Sequence, residues 1–104
     1  MPFPSKAEPM LTHVVLFKLH DRSPENIEAT RARIAAIAGH IPELLSIEVG
    51  ANVVASARAY DIGLVTRFDT VEAMQAYQVH PVHVEMLDEV KARFAEIASV
   101  DYQS

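Results

Sequence analysis

The chain has 104 residues, half of them apolar, with 14 acidic side chains against 9 basic ones and a net charge of -5. That length carries one domain with one core, and without a basic cluster to neutralise phosphates the balance argues against a nucleic-acid surface. The lack of cysteine excludes disulfides, thiolate catalysis and a cysteine-ligated zinc, while no apolar run approaches the roughly 20 residues that cross a bilayer, so a cytoplasmic protein is expected.

Residues 1–9 read as a flexible arm. Pro2, Pro4 and Pro9 deny it helix and ladder hydrogen bonds, and with Lys6 and Glu8 it lacks the apolar stretch of a signal peptide. Residues 10–104 then form the single domain. The first strand is predicted over Leu11–Leu19. His13, Val15, Phe17 and Leu19 fall on one face and Thr12, Val14, Leu16 and Lys18 on the other. Apolar residues on both faces mark a strand covered on both sides.

A helix is expected to start at Ser23, with Ser23 as N-cap, Pro24 at the first helical position and Glu25 in the first turn. Ile27, Ile34, Ile37 and Ile41 supply its apolar stripe, Gly39 its C-terminal cap and Pro42 its stop. The second strand, Leu45–Val53, alternates cleanly between an apolar and a wet face and suits a sheet edge. The third, Tyr60–Phe68, again looks central. Asp69 or Thr70 should cap the next helix, with Glu72 reaching back in a capping box.

The densest chemistry follows. Tyr77-Gln78-Val79-His80-Pro81-Val82-His83 gathers a phenol and two imidazoles around a proline. The residue before a proline is pushed out of helical conformation, so one helix ends near His80 and another begins at Pro81. In the second of these, His83, Leu87, Val90 and Phe94 share a face, which turns His83 toward the sheet. A last strand runs over Ile97–Tyr102. The order strand, helix, strand, strand, helix pair, strand defines a ferredoxin-like α+β sandwich, a split βαβ fold with an antiparallel four-stranded sheet. One helix layer covers only one face of that sheet, so the apolar second face calls for a partner, and a homodimer is the simplest one.

Three stretches, Thr12–Lys18, Phe68–Glu72 and above all Tyr77–His83, give the chain from about Met10 to Tyr102 a resemblance to the stress-responsive dimeric α/β-barrel (Dabb) domain family. The resemblance implies two ferredoxin-like protomers packed sheet against sheet into a barrel. A plant polyketide-cyclase branch of that family looks similar at His13, Tyr77, His80 and His83, and there the positions matching Tyr77 and His83 serve catalysis. The chain departs from that branch at Ile62, where the cyclase-like pattern has a histidine.

On the residues themselves, a neutral His83 at a helix N-terminus is a competent general base, and the Tyr77 hydroxyl can polarise a carbonyl. The plain structural alternative is a core histidine and tyrosine bonded to backbone at the helix break. His13, Ile62 and His80 are assigned to substrate binding; His13 shares a strand face with Val15 and Phe17, and His80 also reads as the cap of the break. A His80–His83 metal site has no evident third ligand, and no nucleotide, phosphate or serine-nucleophile motif appears. No cofactor is therefore expected. The expected ligand is a small hydrophobic or aromatic carbonyl compound, and the competing reading is a non-catalytic stress-associated structural or binding domain.

Overall fold

In chain order the elements are β1 (Leu11–Leu19), α1 (Pro24–Ala35), β2 (Ser46–Ala51), β3 (Ile62–Phe68), α2 (Val71–Val79), α3 (Pro81–Val90), a 3-10 turn over Lys91–Arg93, and β4 (Phe94–Gln103). They come from a computed structural model that describes residues 10–104. The arm expected over residues 1–9 lies outside the described residues. The strands form one antiparallel sheet in the order β2-β3-β1-β4. The strands that are apolar on both faces, β1 and β3, are therefore central, and the wet-faced β2 is an edge. This is the ferredoxin-like arrangement.

Period-two alternation decides which residues meet the helices. Leu11, Val15, Phe17 and Leu19 of β1 and Ile62, Leu64 and Phe68 of β3 are buried in the core with Ile34, Ile37 and Met86. Each such side chain contributes about 1.5–3 kcal/mol on transfer from water. The alternate residues Val14 and Leu16 face the other way, with Val65 on β3 to one side and Ala98 and Val100 on β4 to the other. Among the described residues no helix lies on that second face, and Leu16, Val100 and Tyr102 are exposed on it.

The Ser23 cap forms as expected: its Oγ accepts from the Asn26 backbone N–H at 3.3 Å, with Pro24 opening the helix. The end of α1 differs from expectation. The α-helix closes at Ala35, four residues before Gly39, and the chain tightens into three-residue turns. Ile37 N–H then donates to the Ile34 carbonyl and His40 N–H to the Ile37 carbonyl. Gly39 has φ 81° and so serves that turn and not the helix terminus. Ile37 and Ile41 are still buried, but from the turn beyond the helix.

Thr70 is the cap of α2, its Oγ1 accepting from Ala73 N–H at 3.0 Å. The capping box with Glu72 does not form. Thr70 as N-cap puts Ala73 at the third helical position, where the acidic residue would have to stand. The face that α3 buries is also shifted. Met86 and Val90 enter the core with Val82 beside them, whereas Leu87 is only half-buried. β4 starts at Phe94, three residues earlier than expected, where its ring stacks on Phe17 at 4.5 Å between centroids. The helices lie mainly over β1, β2 and β3, which leaves the helix side of β4 largely open, with Ile97 and Asp101 both exposed.

Candidate functional site

The break between α2 and α3 creates the site. His80 is extended, with ψ 137°, as a pre-proline residue must be. In an unbroken helix, Val82 N–H would donate to the Gln78 carbonyl. Here it donates to His80 Nδ1 at 3.1 Å, so His80 caps α3 with its side chain. The Gln78 carbonyl is freed and takes His83 Nδ1 at 3.0 Å instead. A carbonyl only accepts, so Nδ1 carries the proton, and in the neutral ring Nε2 keeps its lone pair.

The same break folds Tyr77 and His83 against each other, their ring centroids 4.5 Å apart. Phe68 of β3 packs on Tyr77 at 5.0 Å, and His13 of β1 meets it edge-on at 6.5 Å. Three elements thus bring His13, Tyr77 and His83 to one place. Tyr77 is fully buried, yet among the described residues its hydroxyl has no hydrogen-bond partner. A buried donor left unpaired costs about 1–3 kcal/mol, and such groups in native proteins call for a reason.

Electrostatics separates the two residues of the pair. Burial pushes the Tyr77 hydroxyl up to about 12, so it stays protonated near neutrality and keeps a proton to donate. Burial also lowers His83 below the ordinary imidazole value. The bond to Gln78 opposes that shift and the proximity of His13 reinforces it. A neutral imidazole whose Nε2 keeps its lone pair, next to a protonated phenol, is a base beside a hydrogen-bond donor.

Of the other sequence-derived residues, His13 joins the group. Its side chain is mostly buried, its Nδ1 is bonded to the Asp101 carboxylate of β4, and its carbonyl accepts from Thr66 Oγ1 at 3.2 Å. His80 is occupied in capping. Ile62 is brought elsewhere: it lies opposite Phe17, four register positions from the His13–Thr66 pair, or about 13 Å along the strands. It is buried in the core near Phe17 and does not reach the group around Tyr77. Asp101 escaped the sequence reading. Nothing in its own neighbourhood marks it, and only the β1–β4 register, which sets His13 opposite Asp101, shows the connection. Among the described residues no group of three His, Cys, Asp or Glu side chains could hold a metal ion.

A four-stranded β2-β3-β1-β4 sheet under one helix layer, with a polar cluster at the α2–α3 break, defines a ferredoxin-like α+β protein. The family model of the stress responsive A/B barrel domain (Dabb) matches residues 11–104, and the chain belongs to that family. A dimeric ferredoxin-like protein of unknown function from Thermobifida fusca YX is similar at TM-score 0.81 and 26% identity, over 94% of this chain and 93% of that one. A dimeric protein of unknown function and ferredoxin-like fold from Bacteroides fragilis NCTC 9343 has TM-score 0.77 and 30% identity, over 91% and 96%. The hydroxynitrile lyase of Passiflora edulis has TM-score 0.77 over 91% and 93%, but at 16% identity it shares the fold alone. Among curated proteins, none matches the chain.

Proposed function

We propose that this protein binds a small aromatic or polyketide-like carbonyl compound and, without a cofactor, moves a proton next to its carbonyl group. His83 Nε2 is the base and the Tyr77 hydroxyl is the donor to the carbonyl oxygen. The observation that carries this reading is the unpartnered Tyr77 hydroxyl, buried against an imidazole whose Nδ1 is already committed to Gln78. A purely structural tyrosine at this depth would ordinarily have found a partner. A hydroxynitrile lyase built on the same fold supports the view that the architecture accommodates an enzyme. The test is a thermal-shift screen of aromatic and β-dicarbonyl compounds, followed by turnover measurements on each hit. Binding without turnover in the parent protein makes the domain a carrier. The absence of any hit favours the alternative, a stress-associated structural domain in which Tyr77 serves only the core with Phe68.

The same proposal includes a cytoplasmic setting and a homodimer formed through the open sheet face. Val14, Leu16, Val65, Ala98 and Val100 make that face apolar, and the Thermobifida and Bacteroides neighbours are dimers. An interface of this kind should bury about 2,000 Å² or more in total. Light scattering at micromolar concentration should return twice the protomer mass, and a stable monomer there refutes the dimer.

A further inference from the structure

Two imidazoles approach Tyr77, and each is held by its Nδ1, but the partners differ in kind. His83 is held by a neutral backbone carbonyl, His13 by the carboxylate of Asp101. We infer that Asp101 is a positioning residue: by accepting from His13 Nδ1 it leaves Nε2 as the working nitrogen of His13 and gives the site a second place to hold a proton. This inference rests on the proton-transfer reading of the same site.

The placement of Asp101 supports it. His13 and Asp101 are register partners across β1 and β4, so the backbone ladder itself sets the pair. The side chain of His13 is 10% exposed and that of Asp101 is 40% exposed. One end of the dyad therefore sits against Tyr77 while the other reaches water through the uncovered helix side of β4. The helix-side neighbours of Asp101 on that strand, Ser99 and Gln103, carry no charge. Among the described residues Asp101 has no ion-pair partner besides His13.

A hydroxyl in this position would satisfy His13 Nδ1 as well as a carboxylate does. What the carboxylate adds is a negative charge that fixes the ring's tautomer and orientation. His83 has no such partner and is kept neutral by burial. The two rings thus divide the work, with one nitrogen to take a proton and another, joined to solvent, to hold or return one.

The test uses the full chain and its Asp101→Ala and Asp101→Asn variants, each checked for folding by a thermal melt. Imidazole-nitrogen NMR should find the proton of His13 on Nδ1 in the parent. In Asp101→Ala that preference is lost, while His83 keeps its proton on Nδ1. Diethyl pyrocarbonate, followed by mass spectrometry of each histidine, reads the reactivity of Nε2. His13 should react in the parent and react about tenfold more slowly in both variants, the smaller end of what removing an imidazole's orienting partner costs, with the rate at His83 unchanged. An unreactive His13 in the parent overturns the inference, as does a rate in the variants that is unchanged or faster. If the His13–Asp101 signatures hold but His83 and Tyr77 prove dispensable for turnover, the proton-transfer reading falls and the dyad stands.

Discussion

The fold contains the same βαβ unit twice, and the two copies treat a buried hydroxyl differently. In β1–α1–β2 the helix is uninterrupted, and Thr30, fully buried, has its Oγ1 accepting from Arg93 Nη1 at 2.9 Å. In β3–α2/α3–β4 the helix is cut at His80, and the equally buried Tyr77 hydroxyl is left unpartnered. The outer surface of the first unit carries an ordinary ion pair, Glu28 with Arg31. The break in the second frees a carbonyl and turns two histidines to new work. In the second unit the unsatisfied hydroxyl appears where the regular hydrogen-bond ladder has been given up, which is where a ligand could satisfy it.

The comparison can be broken most decisively by kinetics. With a substrate in hand, His83→Ala should lower turnover by about 10²–10⁴-fold, as expected for a lost general base. A rate equal to the parent's would reduce the second unit to another piece of scaffold. Next come the two helix caps, Ser23 in the first unit and His80 in the second. Replacing either with Ala should cost about 1 kcal/mol in a denaturant melt. Only His80→Ala should also disturb the His83 ring resonances, because only that cap diverts Val82 N–H from Gln78.

A smaller effect has the opposite sign. Tyr77→Phe removes a buried hydroxyl that bonds to no described residue, so it should raise stability by up to about 1 kcal/mol while lowering turnover. A destabilised Tyr77→Phe would mean that the hydroxyl has a structural partner after all. The smallest effect is a pH slope. Folded His83 is held below its ordinary value of 6.5, so as pH falls through that value the unfolded chain takes up a proton that the folded chain refuses. Stability contributed by this residue is then full above 6.5 and declines below it, until the folded ring also titrates. Melts at about pH 7.5 and about pH 5.5 should show the parent losing more than His83→Leu; equal losses would place His83 in water.

Much of this was legible in the sequence because local rules dominate it. Alternation located β1, β3 and the sheet order, and Pro81 located the break with Tyr77 and His83 on either side. What escaped was set by tertiary context. The early end of α1 at Ala35 has no proline or glycine to announce it, since Gly39 shapes the following turn. The buried face of α3 centres on Met86, because the break at His80 resets the helical phase against the sheet. Glu72 missed the capping box by one residue once Thr70 and not Asp69 became the cap. Asp101 becomes visible only when β4 is laid in register beside β1, a pairing of residues 88 apart in the chain.

That last pairing has a kinetic consequence. β1 lies between β3 and β4, so one of its two ladders cannot form until the final strand arrives, after every other element has been passed. Closing so long a loop costs only slightly more entropy than closing a shorter one, but non-local pairing slows folding. Until β4 docks, β1 is an apolar strand with an open edge, the kind of surface on which unfinished chains associate. β4 therefore closes that edge of β1 in the same motion that delivers Asp101 to His13, so the chemistry at the site cannot assemble before the central strand is paired on both sides.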